Sequence, residues 1–152
     1  MTTQFIPANP DWRATIEALF QQAPFIQSLG CRIIEMTPGS VSTEVPVHAH
    51  HLQHNGFVHA GAQATLADHT SGAAAATLMA AGCNVLTIEF KISLLAPARG
   101  DRLICRAEVL KPGRSVSFVE ARVFAITGSE QKLVSHATVS LALVQALAKS
   151  SG

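Results

Sequence analysis

Charge is what this chain most lacks. Lys and Arg total eleven and Asp and Glu ten, so 14% of its 152 residues are charged, against about 25% in an ordinary soluble domain. The formal charge of +1 offers no counterion-releasing surface, which argues against a nucleic-acid binder. Disorder is excluded too, because 48% of the residues are hydrophobic and the net charge is low. Aromatics are scarce, with seven Phe, one Trp and no Tyr, and alanine makes up the difference. So little charge on a small domain implies that part of the surface is buried against another chain. An oligomer is therefore expected before any motif is read.

Cys31, Cys83 and Cys105 are odd in number, widely spaced and free of any CxxC pairing, and they read as buried thiols. A charge-free run of twenty residues, His69 to Ile88, has the length of a membrane span. Its commonest residue is Ala, and Gly82-Cys83-Asn84 interrupts it, so it reads instead as a buried helix followed by a strand. The N-terminus has neither a basic start nor an apolar core, so no secretory signal is visible and a cytoplasmic location is expected. The length predicts one domain, residues 1–152.

Asn9-Pro10-Asp11 reads as a helix start with a capping Asn and Pro in the first position, predicting a short helix over about 10–22 that stops before Pro24. Cys31–Met36 and Val41–Val47 form a hairpin pattern around Pro38-Gly39, with Val41, Thr43, Val45 and Val47 on one face. His48 to His59 is too irregular for a strand. Gly61 to Gly82 favours helix by its Ala, Leu and Met content. Four strands follow over Thr87–Leu95, Leu103–Val109, Val116–Ile126 and Leu133–Val144. That order fits an α+β domain, an antiparallel sheet of about five to six strands with its helices on one face. An Ala- and Gly-rich helix permits close backbone approach, and Val119, Ala121, Val123 and Ala125 would face it. A sheet wrapped around a central helix is the hotdog fold.

Chemistry concentrates in Gln53-His54-Asn55-Gly56-Phe57-Val58-His59-Ala60-Gly61, which leads into that helix. A helix N-terminus presents unpaired N–H groups and partial positive charge, suited to an oxyanion. Asp68 is the only acid between Glu44 and Glu89, near Thr65, Ser71 and Gly72 at helical spacing. A carboxylate on such a helix is costly to bury unless paired or used. Asp68 lies eight residues beyond Ala60, about 12 Å along a helix. One reacting carbonyl cannot easily touch both, since catalytic groups sit about 3 Å from it. If both act on one substrate, Asp68 comes from a second protomer and the site lies at a dimer interface.

These residues resemble the PaaI-like acyl-CoA thioesterases of the hotdog superfamily, over about Phe25 to Leu143. Phe25-Ile26-Gln27-Ser28-Leu29-Gly30 looks like the lead-in to the family's first strand. Gly56-Phe57-Val58-His59-Ala60-Gly61 with Leu66-Ala67-Asp68 is similar to its G-x-x-H-G-G and L-x-D signature, and Ser93-Leu94-Leu95-Ala96-Pro97-Ala98 and Gly113-Arg114-Ser115 follow in order. The resemblance implies hydrolysis of acyl- or aryl-acyl-CoA, with Asp68 as nucleophile or general base and the Ala60 N–H polarising the carbonyl. It places Gln53 where the family has an Asn or Gln that orients water or thioester, and Thr87 near an assisting Ser/Thr. It implies contacts to substrate from His59, Gly61, Asn55 and Gly56, and from Arg99 and Arg114 to CoA phosphates. That activity needs no cofactor beyond the substrate's own coenzyme A and is expected of a homodimer or dimer of dimers; from the residues themselves no metal, membrane or nucleic-acid partner is expected. Two departures stand out: Ala60 replaces the first glycine, tolerable only at negative φ, and Gln53 replaces the commoner Asn.

Plainer readings stand beside these. Asp68 could be a structural acid bonded to a strand, Gln53 a loop residue and Thr87 an ordinary strand residue; His59 fixes the loop. Arg99, Lys111 and Arg114 could be solvated turn charges. His48, His50, His51, His54 and His59 invite a metal, yet no Asp, Glu or Cys lies among them. A non-catalytic acyl-CoA-binding module is the alternative function. An enoyl-CoA hydratase is less favoured, because position 73 is Ala where those enzymes carry a His, and Asp68 and His69 diverge by about 100° on a helix.

Overall fold

The structure, a computed structural model, describes residues 4–146; residues 1–3 and 147–152 of the expected domain lie outside it. Two short helices, α1 (Trp12–Gln21) and α2 (Pro24–Leu29), precede a hairpin of β1 (Arg32–Thr37) and β2 (Ser40–Pro46). A 3-10 turn at Ala49–His51 leads to α3 (Ala60–Ala76). Four strands follow: β3 (Cys83–Leu94), β4 (Arg102–Lys111), β5 (Val116–Thr127) and β6 (Glu130–Gln145). They form one six-stranded antiparallel sheet in the order β1-β2-β4-β5-β6-β3. The sheet wraps α3, as the composition of that helix implies.

The wrapping works because the meeting surfaces are small. Ala67 and Ala74 of α3 are fully buried, as are Ala107, Ala121 and Ala137 of the sheet. Val119, Val123 and Ala125 are buried with them, as expected. A helix buried nearly all round must also satisfy its hydroxyls internally. Thr70 bonds the Leu66 carbonyl and shares a 2.6 Å hydrogen bond with Thr43 of β2. Ser71 donates to the Ala67 carbonyl. Burial pushes the Cys31 thiol up to about 11 and that of Cys105 to about 12, with Thr43 and Thr70 hydrogen bonds opposing, so both thiols are inert at neutral pH.

Several expectations need correcting. Asn9 is no helix cap: its Oδ1 accepts the Asp11 N–H in an Asx turn, and the helix starts two residues later than read, at Trp12. Residues 24–29 form a helix, started by Pro24 and ended by Gly30 in the left-handed region. The central helix stops at Ala76, short of Gly82. There the Thr77 hydroxyl turns back to the Ala74 carbonyl and accepts the Gly39 N–H at 2.7 Å, tying the helix end to the first hairpin. Both faces of β2 are buried, because Glu44 on the side read as polar is flanked by Arg32 and Arg102.

The turn between β4 and β5 depends on Gly113. A Cβ there would lie 2.1 Å from the Val116 carbonyl oxygen, and backbone cannot yield cheaply. Gly113→Ala is expected to cost about 1–3 kcal/mol, read as a lowered melting temperature; an unchanged melt would show that the turn relaxes freely.

Candidate active site

Helix α3 carries both halves of the site at different heights. At its start, His59 is the N-cap with φ −58° and ψ 140°, and its Nδ1 accepts the Gly61 N–H at 2.8 Å. Ala60 is the first helical residue, so its N–H has no intrahelical partner. No residue other than glycine has positive φ among the described residues, so alanine is accommodated where the family signature has glycine. The preceding loop is closed by a bridge between Leu52 and Val58. Inside it, the Gln53 N–H donates to the Phe57 carbonyl at 2.8 Å, and the Gln53 Oε1 accepts the Asn55 N–H. The Gln53 side-chain carbonyl is thus committed to the loop, and its amide donors remain.

A cavity of about 700 Å³ opens beside this helix end, lined by Gln53, Phe57, His59, Ala60 and Gln63 and walled by Leu94 to Ala98. Gln63 is buried and donates to the Val58 carbonyl, leaving its Oε1 without a partner among the described residues. The Arg99 guanidinium lies over the Phe57 ring at 4.4 Å, at the side of this cavity.

Two turns along the helix, Asp68 accepts a 2.7 Å hydrogen bond from the Thr87 hydroxyl of β3 through Oδ1. Asp68 and Thr87 line a second cavity of about 400 Å³, whose apolar wall is Ile16, Leu19 and Phe20 of α1 with Ala73, Val85 and Leu141. His69 lines it too, with its ring edge-on to Phe20 at 4.5 Å and its Nε2 buried without a partner among the described residues. Burial pushes the His69 imidazole below its ordinary value, against the opposing pull of Asp68. A smaller cavity between α2 and α3 also reaches Asp68 and His69.

The structure therefore joins Asp68 with Thr87, and Gln53 with His59 and Ala60, but neither of the two larger cavities contains members of both groups. Asn55 and Gly56 sit exposed at the loop tip and line neither of them, the Asn55 amide turning to His54. Gly61 faces a fourth space, shared with His50 and His51. Arg114 lies in the β4–β5 turn, away from both cavities. Ser71, read as part of the polar face around Asp68, is buried instead. The α1 wall, His69 and Gln63 were missed by sequence reasoning. The first had a usable signal in the apolar spacing of Ile16, Leu19 and Phe20; the other two had only their positions beside Asp68 and in the first helical turn.

Comparison with known proteins agrees with this architecture. The profile of the thioesterase superfamily matches residues 55–132. The chain is 30% identical to human acyl-coenzyme A thioesterase 13 over 108 residues, 70% of this chain and 76% of that one. A thioesterase family protein from Silicibacter pomeroyi superposes with a TM-score of 0.87 at 35% identity, over 88% of this chain and 98% of the other. The E. coli PaaI protein, at 20% identity, shares the fold with a TM-score of 0.80 over 91% and 97% of the two chains.

Proposed function

The chain belongs to the thioesterase superfamily, and from that premise we propose how it hydrolyses acyl-CoA thioesters: Asp68 of one protomer works with the α3 N-terminus of its partner. The Asp68 carboxylate, held through Oδ1 by Thr87, attacks the thioester carbonyl or takes a proton from the water that does. The partner's Ala60 N–H receives the negative charge that develops on the carbonyl oxygen, where a fixed donor acts most strongly. Gln53 amide donors orient the thioester or the water. On the first route the carbonyl–sulfur bond breaks to leave an anhydride on Asp68, which water then hydrolyses. On the second, water adds directly and the proton taken by Asp68 passes to the departing sulfur. Either way the acid and CoA thiol leave without a metal or a further cofactor.

The observation that carries this reading is the separation of the two halves on one chain. Thr87 and Leu94 lie seven residues apart on β3, about 23 Å along a strand. In an antiparallel pairing of two β3 strands about an axis near Phe90, Thr87 of one protomer meets the Leu94 end of the other. The Asp68–Thr87 pair then adjoins the cavity bearing the partner's Gln53, His59 and Ala60. β3 suits such a pairing: it is an edge strand of twelve residues with Leu86, Ile88, Phe90 and Leu94 all exposed. A long apolar edge is an association surface unless covered. Exposed Leu110 and Phe118 on the outer face of the sheet offer a contact for pairing two dimers.

The cavity behind Asp68 accepts the acyl group. At about 400 Å³ it exceeds the roughly 150 Å³ void that binds benzene, so it accommodates an aryl or medium-chain acyl group. Arg99 on Phe57 stands where CoA phosphates pass. A panel of acetyl-, medium-chain and aryl-acyl-CoAs, followed by free-thiol release, tests the reading. The filled cavity predicts kcat/KM at least about 10-fold above acetyl-CoA for the larger esters. Release from none of them would sink hydrolysis and leave an acyl-CoA-binding module.

A further inference from the structure

His48, His50 and His51 gather with ring centroids 4.1 to 5.8 Å apart, and the reaction above uses none of them. His51 differs from the other two in being only 3% exposed. Its Nδ1 accepts the His48 N–H at 3.0 Å, while its own N–H donates to the His48 carbonyl at 2.9 Å. That reciprocal pair closes the 3-10 turn and fixes the direction of the His51 carbonyl. The carbonyl then accepts the His59 N–H at 2.8 Å, one residue before Ala60. His51 and His59 are the residues flanking the Leu52–Val58 bridge, so this contact also closes the base of the loop that carries Gln53.

We propose that neutral His51 is the positioning residue that sets the oxyanion donor and Gln53, and that its protonation releases them. The proposal rests on the hydrolytic reading of the same site. An imidazole can accept the His48 N–H only while Nδ1 lacks a proton. A protonated ring turns that acceptor into a donor facing a donor, and the turn loses its closing bond. Among the described residues no compensating charge is at hand. The residues that share its cavity are Phe25, Ser28 and Leu29 of α2, and His59, Gly61, Ala62 and Thr65 at the start of α3. With His48 and His50 beside it, every titratable group facing the ring is another histidine. Burial and these two neighbours push the His51 imidazole below its ordinary value, the Leu29 carbonyl opposing. The sign follows: the unfolded chain binds the proton more readily, so the local structure is complete above about pH 6.5 and weakens as pH falls through the lowered value.

Asparagine places an amide oxygen close to where Nδ1 sits and does not titrate; leucine offers no acceptor. The test compares wild type, His51→Asn and His51→Leu between pH 5 and 8. Two readouts are taken: hydrolysis of the best acyl-CoA of the panel, and amide hydrogen exchange over residues 52–61 corrected for intrinsic rate. At pH 8, His51→Leu is expected to lose kcat by about 10- to 100-fold, as for a displaced catalytic group, with KM changed less than about twofold and exchange of 52–61 increased. His51→Asn is expected to keep kcat within a few fold of wild type, and its exchange should not rise on going to pH 5.5 as the wild type's does. Wild-type exchange that is flat with pH overturns the proposal, as does a His51→Asn protein that follows the wild-type profile. If no protein hydrolyses any ester, the hydrolytic reading falls, and the exchange data still decide the role of His51.

Discussion

Asp68→Asn is expected to lower kcat for acyl-CoA hydrolysis by about 10³-fold or more while leaving affinity for the ester nearly unchanged. The substitution keeps the shape of the side chain and an oxygen able to accept the Thr87 hydroxyl, which now lies 2.7 Å away. It removes the charge and the basic or nucleophilic oxygen. Were Asp68 only a structural acid joining α3 to β3, the amide would preserve most of that bond, and turnover and melting temperature would both change little. The two roles therefore predict opposite patterns. Thr87→Val refines the comparison, because it leaves the carboxylate but frees Oδ1; a loss of about 10-fold, smaller than for Asp68→Asn, fits a hydroxyl that orients rather than reacts. Free-thiol release with ester binding measured in parallel checks both.

Most of the fold was legible because its signals are local. Alternation marks most of the strands, and an alanine-rich segment long enough for four turns is helix wherever it can be buried. The signals that misled were also local, but had a tertiary competitor. Asn9-Pro10 has the residues of a cap, yet the Asn9 side chain serves an Asx turn one step earlier. Phe25–Leu29 carries no strong helical pattern, and Pro24 and Gly30 at its two ends set its conformation. The helix end could not be read from Gly82, because the chain stops being helical where the Thr77 hydroxyl meets the Gly39 N–H, thirty-eight positions away. At the site, Asp68 stood out as a lone acid, and the helix start by its His and glycines. The α1 wall left a trace in the apolar spacing of Ile16, Leu19 and Phe20, whereas the role of His69 becomes visible only when α1 folds over α3. The importance of His51 depends on which histidine is buried, and spacing alone does not give that.

Ala60→Pro offers the sharpest test of where the two halves of the site meet. Proline is well suited to the first position of a helix, where its missing N–H breaks no intrahelical bond. The residue before a proline must be extended, and His59 already is, with φ −58° and ψ 140°. The substitution thus deletes one N–H with little disturbance to the fold, and the loss of a single oxyanion donor predicts a fall in kcat of about 10²- to 10³-fold. Mixing this variant with Asp68→Asn, after subunits have exchanged, then locates the site. Each heterodimer has one site lacking both groups and one site with both intact, the latter built from Asp68 of the Ala60→Pro chain and Ala60 of the Asp68→Asn chain. Random pairing of a symmetric dimer makes half of the dimers mixed, so activity should return to about one quarter of wild type. Two dead proteins that restore each other require a shared site. If each chain held a complete site, every site in the mixture would lack one group or the other, and the mixture would stay as inactive as its components.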